Sequence, residues 1–245
     1  MVNLSPFSFF NLFSTNPPIL IFSPSRRVRD NTTKHSLENV LEVPEVVVNI
    51  VSYAMVEQAS LASCEYPKGV NEFVKAGFTE LPSVKVKPPR VAESPASFEC
   101  KVNQVIVLGN EGGAGNLIVC EILLAHFKNE TLDAEGKIDP QKLDAVARMG
   151  GDFYCRAHGE NIFTVPKPNT HLGIGFDQLP EKIRNSKILS GNDLARLANI
   201  DKLPSMESDA NTGTRSEEDQ HRLAKKLLKN GKVDEAWRIL LTPNS

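Results

Sequence analysis

The sequence predicts a mainly β protein, a barrel decorated with short helices, and three observations lead there. First, β-branched apolar runs recur: "PILIF" (Pro18–Phe22) and "VVVNIVS" (Val46–Ser52) are short and nearly continuous, the pattern of buried strands. Second, Gly109–Asn116 holds four glycines in eight residues and separates Val105–Leu108 from Leu117–Phe127, as in a long antiparallel hairpin. Third, the helical segments are too few and too short for repeated β-α-β units, which leaves a barrel with helical decorations.

In chain order, the strand at Pro18–Phe22 runs into the polar loop "SPSRRVRDNTTKHS". Ser36–Leu41 fits one or two helical turns, with Ser36 or Thr33 as cap and Pro44 beyond the end. After the strand at Val46–Ser52, Val56–Cys64 and Val70–Phe78 are helix candidates; the second places Val70, Phe73, Val74 and Phe78 near one face, with Gly77 close to its end. Alternation at Val84 and Val86, and again at Phe98, Cys100 and Val102, predicts strands. "GKIDPQKLDAVARMGGDFYCRA" fits a short strand, a turn, a helical turn and a Gly-Gly break, and Pro166-Lys167-Pro168 marks a further turn. Beyond Leu203 the composition becomes polar and turn-rich. The expected organisation is a body over 1–203, a flexible linker over 204–215 and a helical hairpin over 216–245. In that hairpin Ser216 and Asp219 form a cap pair, Asn230-Gly231 the turn, and Val233, Trp237 and Leu240 align on the second helix. One such hairpin is too small to be a domain alone and is expected to dock on the body or on a partner chain.

Composition excludes some functions. With 245 residues and a formal net charge of -2, the chain lacks the basic balance of a general nucleic-acid binder. Its apolar stretches fall far short of the roughly 18 residues a membrane span needs. The N-terminus lacks a basic leader region, and Pro17-Pro18 interrupt its apolar run, so it reads as mature structure in a cytoplasmic protein. Cys64, Cys100, Cys120 and Cys155 form no CxxC pair, the usage of buried thiols in a reducing compartment.

"GNEGGAGN" lacks the Gly-Lys-Ser/Thr of a phosphate loop and is followed by a strand, so it reads as a flexible turn. The loop before Ser36 is different. Arg26, Arg27, Arg29, Thr32, Thr33, Lys34 and Ser36 crowd beside a buried strand, supplying the charge and hydroxyl donors a phosphate needs. A helix starting near Ser36 would add free N–H groups. The histidines share no metal-ligand spacing, so no metal is expected. Tyr154 and Arg156 would share one face of a strand, either at the surface or as an aromatic and cation pair at an interface.

"NLSPFSFFN", "PPILIFSPSRR", "TTKHSLENV", "VVVNIVS", "VNEFVKAGFTELPSVKVKPPRVAESPASFECK" and "RMGGDFYCR" resemble, in order, the flavin reductase-like family of FMN-binding split β-barrel proteins, through most of residues 2–168. The resemblance implies a Greek-key split barrel that binds FMN. It implies that Ser8, Phe9, Phe10 and Asn11 lie along the isoalloxazine edge, Phe9 and Phe10 anchoring the segment while the polar positions meet the flavin. It implies that Arg26, Arg27, Thr33, Lys34 and Ser36 cradle the 5'-phosphate, that Asn49 and Ser52 belong to a strand lining the cofactor, and that Tyr154 and Arg156 lie near it at a subunit interface. Most relatives have Lys-Asp-Thr where this chain has Lys34-His35-Ser36. Relatives also carry strand sequence before "NLSPFSFFN", so the resemblance implies a barrel missing N-terminal strands or a natural form extended upstream.

The function expected from that resemblance is an FMN-dependent oxidoreductase of the flavin reductase or flavoprotein oxygenase type. It would take electrons from NADH or NADPH and work as a homodimer, and no side chain is singled out as catalytic. The alternatives are a non-catalytic FMN- or heme-binding split barrel and a structural dimer that has lost the cofactor.

Overall fold

A computed structural model describes residues 2–168, 172–204 and 215–243. The chain divides into two compact units, Met1–Phe163 and Thr164–Ser245. The boundary expected after residue 203 thus falls forty residues earlier, because Leu179–Ala198 contribute half of the second unit's core. The linker expected over 204–215 lies, apart from its two end residues, outside the described residues.

The first unit opens with a hairpin of β1 (Phe10–Thr15) and β2 (Pro18–Phe22), then α1 (His35–Glu42), β3 (Glu45–Asn49), α2 (Val56–Leu61) and α3 (Glu72–Ala76). Two-residue strands β4 (Glu80–Leu81) and β5 (Arg90–Val91) precede the long hairpin of β6 (Ala96–Val107) and β7 (Asn116–Phe127). α4 (Pro140–Leu143) and the hairpin of β8 (Val146–Gly150) and β9 (Phe153–Arg156) complete it. β1, β2, β7, β6 and β3, in that order, form one antiparallel sheet. The period-2 alternation of β6 and β7 puts Cys100, Val102, Ile118 and Cys120 on one face, where they pack with Leu20, Phe22 and the Leu37 and Val40 stripe of α1. A second cluster joins Met55, Ala59, Phe73, Ala76, Phe78 and Val91.

Several expectations need correction. The sheet is not closed into a barrel: closure requires the first and last strands to pair, and among the described residues β1 and β3 are its edges. An apolar groove of about 710 Å³, lined by Phe10, Phe22, Val46, Val48, Met55 and Phe73, lies against it. Val84 and Val86 are not in a strand. Their loop is folded over β6, where the Glu99 carboxylate accepts from the Val84 and Lys85 N–H groups and Glu45 accepts from Lys87 N–H at 2.8 Å. Pro88 and Pro89 could donate to no ladder in any case. α1 is capped by neither Thr33 nor Ser36; Lys34 occupies the cap position, without a side-chain bond. Cys100 and Cys120 are buried as expected, burial pushing the Cys120 thiol up to about 12 and raising Cys100 as well, but Cys64 and Cys155 are exposed.

The second unit is helical: α5 (Glu181–Arg184), α6 (Gly191–Ala198), α7 (Glu217–Lys229) and α8 (Val233–Leu241). The C-terminal pair is therefore no lone hairpin, and the 13-residue α7 is longer than the short helices expected. Trp237, fully buried, packs with Ile183, Leu197, Leu228 and Leu240, and its indole N–H donates to Leu197 O at 3.1 Å. Ser216 caps α7, accepting from Asp219 N–H at 3.1 Å, and a full capping box of Ser190 and Asp193 starts α6. His221 is buried beside Ser186. The Ser186 hydroxyl accepts from Ile188 and Leu189 N–H, both at 3.1 Å, so its own proton goes to His221 Nδ1 at 2.8 Å. Burial lowers the imidazole below its ordinary value, consistent with a neutral ring.

Candidate functional site

The basic loop between β2 and α1 uses much of its charge on itself. Arg26 Nε donates to Asn31 Oδ1 at 2.7 Å, and Arg27 Nη1 to Thr32 Oγ1 at 2.9 Å. Glu65 meets Arg27 Nε at 3.2 Å and Arg29 Nη2 at 2.8 Å. Thr33 donates to Glu38 at 2.9 Å, and Ser36 Oγ accepts from Asn3 Nδ2 at 2.8 Å, leaving the Ser36 proton free to donate.

Lys34 stands apart. It is half-buried, its ammonium lies 5.4 Å from the Phe7 ring centroid, and among the described residues no carboxylate pairs with it. Desolvation lowers its pKa, as do the charges of Arg27 and Arg148, while Glu65 opposes them. A desolvated cation without a counter-charge is costly unless an anion supplies it. Lys34, Arg27, His35, Ser36 and Asn3 line a cavity of about 60 Å³. That is roughly twice the share of one water molecule in the liquid. At the start of α1 the His35 and Ser36 N–H groups have no intrahelical acceptor, which adds a positive end to the same cavity.

The apolar groove adjoins this cavity, since Asn3, Leu4, Ser5 and Ser36 line both. Together they suit a ligand with a small anionic end and an apolar body. Among the described residues no group of three or more His, Cys, Asp or Glu could hold a metal.

Of the residues singled out in the sequence, the cavity brings together Arg27, Lys34 and Ser36, while the groove brings together Phe10, Asn49 and Ser36. Arg26 and Thr33 line neither; they brace the loop. Ser8 and Asn11 are exposed, and Asn11 Oδ1 accepts from Leu12 N–H at 2.8 Å. Phe9 is no anchor: it is 68% exposed, and its backbone carbonyl, accepting from Ser23 N–H at 2.9 Å, does the holding. Phe10 is partly buried against the sheet core. Asn49 Oδ1 accepts from Val91 N–H at 3.0 Å and Ser97 Oγ at 2.8 Å, tying β5 to β3. Ser52 is buried at an isolated bridge to Ala145. Arg156 is bidentate to Asp144 at 2.7 and 2.8 Å, its guanidinium 3.9 Å from the Tyr53 ring centroid, and it holds Asp144 below the usual carboxylate range. Tyr154 stands half-exposed on the same hairpin. Sequence reasoning missed Asn3, Phe7 and Glu65. The first two stand within or beside the quoted "NLSPFSFFN"; Glu65 gave no local signal, because its role comes from a contact across more than thirty residues.

The chain is similar in sequence and fold to known proteins. The model of the flavin reductase like domain matches residues 2–140. An uncharacterized protein of Aquifex aeolicus is 39% identical over 160 residues, covering 65% of this chain and 79% of its own. Among solved structures, nitrilotriacetate monooxygenase component B from Bacillus cereus matches at a TM-score of 0.60 and 26% identity, covering 66% of this chain and 79% of that one. A Shewanella frigidimarina protein assigned as a flavin reductase with a split barrel domain matches at 0.57 and 27%, covering 67% and 78%.

Proposed function

The chain belongs to the flavin reductase like domain family, and from that premise we propose that it is an FMN-binding oxidoreductase fed by NADH or NADPH. The observation that carries the reading is Lys34, a half-buried cation with no carboxylate partner among the described residues, at a cavity sized for a small anion. Lys34, Arg27 and Ser36 would hold the phosphate of FMN. Bound FMN would supply the electron-transfer chemistry. The chain's part is to bind and orient the cofactor, and to neutralise its phosphate with a charge that is already partly desolvated.

Lys34→Ala is expected to weaken FMN binding by about 1–3 kcal/mol, the scale of a hydrogen bond to a charged group. Riboflavin, which lacks the phosphate, should lose little. Fluorescence titration with both ligands measures this, and equal losses would remove the phosphate assignment. Oxidation of NADH and NADPH under air, with and without added FMN, tests the enzymatic reading. FMN binding without such turnover would leave a non-catalytic flavin protein.

We further propose a homodimer. The β8–β9 hairpin exposes Met149 (69%), Phe153 (77%) and Tyr154 (47%), with the neighbours Phe153 and Tyr154 on opposite faces of a two-stranded ribbon, apolar surface that a partner would cover. Light scattering should give about twice the 27.0 kDa chain mass. A monomer that still holds FMN at micromolar protein would overturn this.

A further inference from the structure

The glycine-rich tip between β6 and β7 is not the free turn its sequence suggests. It lies against the backbone of the basic loop and is bonded to it along its length. Arg26 N–H donates to Ala114 O at 2.8 Å and Gly113 N–H donates to Arg26 O at 3.0 Å, two residues opposite one as at a β-bulge, with Gly113 at positive φ. Asn31 Nδ2 reaches Asn110 O at 2.9 Å, and the buried Asn116 Nδ2 reaches Pro24 O at 3.0 Å. The glycines are what allow this approach. A Cβ on Gly112 would stand 3.1 Å from both Val28 Cα and Val28 O, and 3.2 Å from Arg27 O. Those neighbours are backbone, so the loop itself would have to move.

We infer that this tip positions the anion cavity, with Gly112 as a positioning residue; the inference rests on the proposed phosphate site. A Cβ on Gly112 would press on the carbonyl of Arg27, a residue that lines the cavity. Arg27 N–H donates to Thr32 O at 2.9 Å and its Nη1 to Thr32 Oγ1 at 2.9 Å, so displacement of Arg27 is carried across the loop towards Thr33 and Lys34. The tip contributes no group to the lining of the cavity or the groove, so its effect on a ligand passes through that loop alone.

The experiment measures FMN and riboflavin affinities of the full chain by fluorescence titration, with melting temperature alongside. Gly112→Ala should lose about tenfold in FMN affinity, the scale of one charge-assisted hydrogen bond, and keep riboflavin affinity within about twofold. Gly109→Ala, whose Cβ would meet only the Ala114 side chain at 3.3 Å, should leave both unchanged. Asn31→Gly removes the strut to Asn110 yet tolerates the φ of 56° there, and should also lower the FMN preference; it decides the matter if Gly112→Ala does not fold. If the unmodified chain binds both ligands equally, the phosphate reading falls and this inference with it. If it prefers FMN and Gly112→Ala and Asn31→Gly, folded, keep that preference, the positioning role alone is overturned.

Discussion

Glu99→Ala should destabilise the first unit by about 3–5 kcal/mol, the range for removing one partner of a buried, hydrogen-bonded charge pair. Glu99 is fully buried on β6, yet it accepts from Val84 N–H at 2.9 Å, from Lys85 N–H, and from His126 Nε2 at 2.6 Å, with Arg90 3.9 Å away. Burial alone would raise its carboxyl. The Lys85 and Val84 N–H groups and His126 outweigh that and hold it below its ordinary 4.5. The sign for stability follows: a lowered carboxyl stabilises the fold at pH above 4.5, and that contribution is lost as pH falls through the lowered value. Urea unfolding followed by circular dichroism should therefore show the variant weaker at neutral pH and less sensitive to acid than the parent. Equal stability at neutral pH would mean that the Val84–Pro89 loop is held by something other than this carboxylate.

Glu99 also shows where sequence reading stops. Phe98, Cys100 and Val102 alternate correctly as the inward face of β6, which by the same pattern sends Glu99 outward to solvent. The outward face is covered instead by a loop from fifteen residues earlier, and no local pattern records that. Elements defined by their own residues were legible. The strand at Pro18–Phe22, the long hairpin, and the helix Val233–Leu241 stand where periodicity and turn residues put them. β1 was hidden because "FFNLFST" does not alternate; Leu12 and Phe13 of this strand, and Phe9 just before it, are exposed, and its register with β2 shifts between Leu12 and Ser14. The "SGND" capping box of α6 was present as a local signal and went unread, which is why the helical unit was expected to be a bare hairpin.

The site follows the same division. Composition was enough to pick out the basic loop, because clustered cations beside a buried strand stand out at any spacing. It could not tell the cations apart. Arg26 is spent on Asn31 and Arg29 on Glu65, while Lys34 keeps its charge without an acidic partner among the described residues. That distinction depends on Asn31 adopting φ 56° and on Glu65 arriving from beyond α2. Reading the glycine tip as a turn was correct for its chain direction and silent about what it packs against, since a Cβ clash with Val28 exists only once the two loops meet.

Trp237→Ala is expected to cost the helical unit about 3–5 kcal/mol, the range for truncating a buried aromatic. The residue is the single tryptophan of the chain and is 0% exposed, among Ile183, Leu197, Leu228 and Leu240. It closes the core from α8, contributing volume by its rings and a hydrogen bond by its N–H to Leu197 O near the end of α6. The two contributions separate by substitution. Trp237→Phe keeps most of the volume and leaves the Leu197 carbonyl without its donor, a loss of about 1–3 kcal/mol. Trp237→Ala adds a cavity, so stability should fall in the order Trp, Phe, Ala. Helical circular dichroism in a urea titration reads all three, and the parent's tryptophan fluorescence reports the same transition independently. Equal losses in Phe and Ala would mean that the core collapses around the missing ring and that the hydrogen bond carries the whole effect. No loss in either would show that α5 and α6 hold the unit without α8, contrary to the packing around Trp237.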